Sequence, residues 1–245
     1  MGQGGRHPPL RADPVWRRLA NGLGFTLPVV LIFVAAIVRF YGLQWDSGHW
    51  LHPDERQIYF VTMGLSWPDS LAEALSPDSP LNPRFFAYGS LPIYLLRICA
   101  SLLATVWPAI AYADNLHFIG RPLAALFDLG TLYLAYRLAR RLVFASIAPR
   151  QARILALLSA GLASVTVLQI QLAHFYTVDP PLTFFVMLAL NFAAETAQTT
   201  KHRYRLGLGI ATGLALATKV SAAPLALIIP VAYNIQLARH GTEDN

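Results

Sequence analysis

Between Ile154 and Val178 the chain runs without a single Asp, Glu, Lys or Arg. Coiled as one α-helix, that stretch is about 37 Å long, enough to cross roughly 30 Å of bilayer hydrocarbon. The rest of the chain points the same way. Charged residues make up 13 % of its 245 residues and hydrophobic ones 55 %. An ordinary soluble domain carries about 25 % charge, because its surface must face water. A lipid-facing surface needs no such coat, so the chain reads as a membrane protein.

Further apolar runs support several crossings. Leu23 to Phe40 is apolar until Arg39, and Phe40, Tyr41 and Trp45 supply interfacial aromatics. It follows a polar lead, residues 1–22, with Arg6, Arg11, Arg17 and Arg18. The run is too long for the core of a cleaved signal and reads as a first span. Leu91 to Trp107 carries Arg97, and Ile119 to Tyr136 carries Arg121 and Asp128. After Asp179-Pro180-Pro181 an apolar run reaches Ala194, and Leu206 to Tyr233 carries Lys219 and Pro224 near its middle. Residues 23–236 therefore form one all-α, polytopic transmembrane domain, followed by a polar tail at 237–245.

Basic stretches set the sidedness. Arg137, Arg140, Arg141, Arg150 and Arg153 form the densest cluster, and Lys201 to Arg205 a second. Both belong on the cytoplasmic side by the positive-inside rule. The same rule accounts for the net charge of +6, so nucleic acid is not a partner. Residues 44–89 are too polar to span and too long for a plain turn. They carry Asp46, Asp54, Glu55, Asp69, Glu73 and Asp78 and should form an external loop with one or two short helices. One full crossing then separates this loop from Arg137. Segment 119–136 supplies it, while 91–107 is a re-entrant or interfacial helix. Segment 154–178 leads back outward and 180–198 returns, so Asp54, Glu55 and Asp179 share the outer face.

Four groups of residues bear chemistry. In His52-Pro53-Asp54-Glu55-Arg56, proline suits the first helical position and carboxylates the first turn. The same adjacent carboxylates can act as a general base beside an orienting neighbour. In Ala173 to Pro181, Asp179 reads as the cap of the next helix, but His174 sits at the end of an uncharged span, where an ionisable group marks function. Lys219 lies among small residues and can approach a lipid phosphate. It is mid-membrane if 206–233 is one helix, and interfacial if the helix breaks near Pro224. Arg121 and Asp128 are two turns apart on one face and read as an ion network within the bundle, with Arg121 on a lipid phosphate as the sharper alternative. Tyr88-Gly89-Ser90-Leu91-Pro92 reads as a turn into a helix. Cys99, the single cysteine, is a small hydrophobe in an apolar stretch, and no CxxC or HExxH pattern occurs.

Taken together these stretches resemble the polyprenyl-phosphate-sugar-dependent glycosyltransferases typified by protein O-mannosyltransferases and lipid A aminoarabinose transferases. The resemblance rests on His52-Pro53-Asp54-Glu55, Tyr88-Gly89-Ser90-Leu91-Pro92, Arg121-Pro122-Leu123 through Tyr136-Arg137-Leu138, His174 through Asp179, and Leu216-Ala217-Thr218-Lys219. It implies a helical bundle of the GT-C type in the cell membrane. It implies transfer, with inversion, of a sugar from a polyprenyl-phosphate donor to an acceptor on the outer face, the acceptor being a protein, lipid or glycan. Asp54 maps as the base or acceptor-orienting group, with Glu55 beside it and Asp179 completing the acidic site. His52, Arg121, His174 and Lys219 map as substrate-binding residues. Some relatives hold a divalent cation at such carboxylates, and oxygen ligands suit Mg or Mn, but the metal stays unassigned. Such enzymes are usually far longer, so a missing C-terminal half is expected. A lipid or small-solute transporter and a non-catalytic fragment of a split enzyme are the competing readings.

Overall fold

A computed structural model describes residues 15–144 and 148–240. Most of the basic lead, residues 1–14, and the end of the polar tail, 241–245, lie outside the described residues. Those described are helical or irregular, with no strand among them. Residues 44–89 contain α2 (Pro53–Met63) and α3 (Leu71–Ala74), both short, as the sequence predicts.

The bundle is built from α1 (Val15–Phe40), α5 (His117–Phe144), α6 (Pro149–Ser164), α8 (Asp179–Thr196) and α9 (His202–Thr218). The most extensive contacts join α8 to α9 and α5 to both α6 and α8. Small side chains make them possible. Ala152, Ala156 and Ala160 recur every fourth residue along α6 and are buried, and Ala189, Ala211 and Ala215 line the contact of α8 with α9. Such ridges let backbones approach where lipid offers no hydrophobic drive for association. Large apolar side chains instead face outward: Val30, Phe33 and Ile37 on α1, and Leu206 and Ile210 on α9, are exposed. The helices His117–Leu142 and Val220–Arg239 are long and apolar enough to cross a membrane. Segment 91–107 contains α4 (Leu91–Ala104), only about 21 Å long at helical rise.

Two expected spans are interrupted. The uncharged stretch 154–178 is not one helix: α6 ends at Ser164, α7 (Val167–Leu172) follows, and residues 173–178 are irregular. The break falls at Ser164-Val165-Thr166. Ser164 and Thr166 turn their hydroxyls back onto the carbonyls of Gly161 and Leu162, and a β-branched valine stands between them. The freed carbonyl of Ser164 accepts from the Arg39 guanidinium at 3.1 Å. The stretch 206–233 also breaks. Helix α9 stops at Thr218, Lys219 is extended, and a 3-10 stretch containing Pro224 leads into α10 (Ile228–His240). Of the two alternatives in the sequence, the broken helix is the one observed.

Arg121 and Asp128 share α5 but not a bond. Asp128 pairs with Arg39 of α1, whose side chain is fully buried, while Arg121 pairs elsewhere. The ion network exists, with its partners supplied by other segments.

Candidate active site

Two polar clusters meet at the N-terminal end of α5, and the neighbours Asp54 and Glu55 divide between them. The first cluster is sealed. Arg121 is wholly buried. Its Nε and Nη2 donate to the two Glu55 oxygens at 3.0 and 2.7 Å, and its Nη1 and Nη2 donate to the Asp46 oxygens at 2.8 and 2.7 Å. The Leu43 carbonyl accepts from Nη1 at 2.7 Å. All five guanidinium donors are thus used. Glu55, also wholly buried, further accepts from the Tyr59 hydroxyl at 2.8 Å and the Tyr176 backbone N–H at 2.9 Å.

The backbone around this clamp is shaped to close it. Asp46 accepts from the N–H groups of Gly48 and Leu51, which folds its loop around its own carboxylate. Ser47 and Trp50 adopt positive φ there, a conformation that costs energy in non-glycine residues and needs firm support. At Gly120 a Cβ would come within 2.7 Å of both the Tyr59 hydroxyl and the Tyr176 side chain, so only glycine lets α5 approach. The Arg121 guanidinium holds the Asp46 carboxyl well below the usual carboxylate range. Burial, then the Glu55 charge, pushes the Tyr59 phenol well above its ordinary value.

The second cluster is open. His52 caps α2, accepting from the Glu55 N–H at 3.5 Å, which leaves Asp54 in the first turn and half-buried. The Tyr88 phenol lies close enough to Asp54 and Asp179 to feel both carboxylates. Burial, then these carboxylates, raises its pKa above the ordinary phenol value, so it stays a donor. Asp179 begins α8, and Lys219 Nζ reaches its Oδ1 at 3.3 Å, both side chains being a little over a third exposed. Gly89 brings the Tyr88 loop against the end of α9: its N–H donates to the Thr218 carbonyl at 3.0 Å, and a Cβ there would stand 2.0 Å from the Ala217 carbonyl oxygen. Tyr88 is the residue that sequence reasoning missed. Its signal was an aromatic placed directly before an obligatory glycine, which read only as a turn.

Asp179 and Lys219 therefore come together with Tyr88 and Asp54 beside them, while four other candidates are engaged within the protein. Arg121 has no donor left for a phosphate. Both Glu55 oxygens are engaged, and the side chain is wholly buried. His174 sets its ring nitrogens against two backbone carbonyls, Ile170 O at 2.7 Å and Tyr41 O at 2.9 Å, so it lies between α7 and the end of α1. His52 stacks on Phe175 with ring centroids 4.4 Å apart, and its Nδ1 is the helix cap. Nor do the three carboxylates form a cation site. Glu55 is turned into the clamp, and among the described residues no group of three His, Cys, Asp or Glu side chains is placed to hold a metal ion.

The chemistry available at the open cluster is proton acceptance by a carboxylate, backed by a phenol donor, next to a lysine able to face an anion. A comparison with curated proteins and with solved structures finds no match. The family profile described as dolichyl-phosphate-mannose-protein mannosyltransferase matches residues 106–241, which includes Arg121, Asp179 and Lys219 and leaves Asp54 and Tyr88 outside. That match covers more than half of the chain, which is thus of glycosyltransferase type and belongs to the dolichyl-phosphate-mannose-protein mannosyltransferase family.

Proposed function

We propose that the chain is a multi-pass protein of the cell membrane that transfers a sugar from a polyprenyl-phosphate donor to an acceptor at the outer face, with inversion at the sugar carbon. The observation that carries this reading is the Asp54–Tyr88–Asp179 grouping with Lys219 beside it. The Asp54 carboxylate accepts the proton of the acceptor hydroxyl as that oxygen attacks the anomeric carbon. The Tyr88 hydroxyl donates to the carboxylate and fixes its direction. The bond from sugar to lipid phosphate breaks on the opposite side, and the released phosphate is neutralised by Lys219. Asp179 holds Lys219 in place through one contact, and an ammonium with three donors keeps others for the phosphate.

Within this reading Glu55, Arg121, His52 and His174 position the site and do not touch substrate. The buried charges that a transport pathway would need are internally paired, Arg121 with Asp46 and Glu55 and Arg39 with Asp128. No step calls on a metal.

The test is transfer from radiolabelled polyprenyl-phosphate mannose in membranes carrying the full chain. Asp54→Asn should lower the rate by about 10²–10⁴-fold, the usual contribution of a positioned general base. Transfer at the wild-type rate in that variant would remove Asp54 from the chemistry. No transfer by a well-inserted wild-type chain would favour the non-catalytic fragment.

A further inference from the structure

A recess lies far from the Asp54 cluster. Tyr133, Tyr136, Arg137, Arg140 and Arg141 of α5, Gln198 just past α8 and Arg239 of α10 line a recess of about 660 Å³. Along α5, Arg121 and Arg141 are separated by about 30 Å at helical rise, the thickness of bilayer hydrocarbon. The recess therefore opens at the membrane face opposite the candidate active site.

Its walls are unevenly charged. Four arginines line it, and two of them, Arg137 and Arg141, pair with the buried Glu195 of α8. Those bridges fix two guanidinium groups against α8. Arg140 is exposed and has no ion pair among the described residues. A topological signal requires only that basic residues lie on this side. It does not require that helices from three parts of the chain gather arginines and two tyrosines around one hollow large enough for a headgroup. Guanidinium forks match phosphate oxygens in pairs, and tyrosine hydroxyls add neutral donors at the interface.

We propose that this recess binds the phosphate of an anionic phospholipid headgroup in the leaflet opposite the active site. Bound there, the lipid clamps α5, the segment after α8, and α10 together through one phosphate. The site is separate from the transfer chemistry and stands or falls independently of it.

The test uses the purified full chain in a zwitterionic detergent. Its melting temperature is followed against phosphatidylglycerol, phosphatidylcholine and inorganic phosphate. Phosphatidylglycerol should raise the melting temperature saturably, while phosphatidylcholine and inorganic phosphate should not. Arg140→Gln with Arg239→Gln should shift the phosphatidylglycerol midpoint about tenfold or more, the scale of a lost charge-assisted hydrogen bond. Arg140→Gln alone, at an exposed position, should give part of that shift with unchanged melting in detergent. Wild-type midpoints in both variants would overturn the proposal. Equal stabilisation by phosphatidylcholine would also overturn it. Saturating stabilisation by inorganic phosphate, with the lipid arm flat, would make the recess a soluble-phosphate site and refute the lipid.

Discussion

Asp54 and Glu55 are neighbours in one helical turn with opposite fates. Glu55 turns inward and is buried against Arg121, Tyr59 and the Tyr176 backbone. Asp54 lies by Tyr88, which also feels Asp179 of the partly exposed Asp179–Lys219 pair. The difference is one of spare capacity. Five donors meet five acceptors around Arg121, so that cluster can exchange nothing with a substrate. The open cluster keeps donors on Lys219 and acceptor capacity on Asp54 beyond what Tyr88 takes up. A rigid, saturated cluster directly behind an unsaturated one is how a catalytic group is held without being consumed.

The largest effect should come from breaking the sealed side. Arg121→Leu leaves Asp46 and Glu55 buried without a counter-charge. Removing one partner of a buried ion pair costs about 3–5 kcal/mol, and here two carboxylates are stranded. The variant should fail to accumulate as folded protein, judged by size-exclusion profile and melting. A folded, stable Arg121→Leu chain would mean the clamp is not structural.

Changes on the open side should spare the fold. Lys219→Met should weaken the donor phosphate interaction by about 1.5–3 kcal/mol, roughly tenfold or more in transfer efficiency, with melting nearly unchanged. Efficiency at the wild-type level would put the phosphate elsewhere. Tyr88→Phe removes the donor proposed to orient Asp54 and should cost about 1 kcal/mol, a several-fold drop in rate. Because the phenol stays protonated above the usual tyrosine range, its contribution should persist on the alkaline side of neutrality. A pH–rate comparison of Tyr88→Phe with wild type reads this directly. A gap between them that closes from neutral pH to the ordinary tyrosine range would contradict it.

Local signals carried much of this arrangement. The Pro53 and Pro180 positions announced helix starts; Asp54 is in a first turn as expected, while Asp179, read as a cap, is the first helical residue, with Val178 at the cap position. Lys219 among small residues beside Pro224 marked a helix that could break. The partners of Arg121 were not legible. Asp128, two turns along the same helix, was the local choice, while Asp46 and Glu55 arrive from 75 and 66 residues away in sequence. Only tertiary packing brings them in, through Gly120 and the strained turn at Ser47–Trp50. The break after Ser164 was hidden for a similar reason. Its hydroxyl signals are weak alone, and the compensating donor is Arg39, 125 residues earlier. Tyr88 escaped because a glycine turn explained its motif before the contact with Asp54 was visible.

The most direct test of the division measures two variants side by side, Asp54→Asn and Glu55→Gln, each for melting temperature and for sugar transfer. Asp54→Asn should melt as the wild type does and lose transfer. Glu55→Gln should lose about 3–5 kcal/mol of stability, because its amide cannot replace a carboxylate facing Arg121. A Glu55→Gln chain that melts normally yet transfers nothing would contradict the account and return the catalytic role to Glu55.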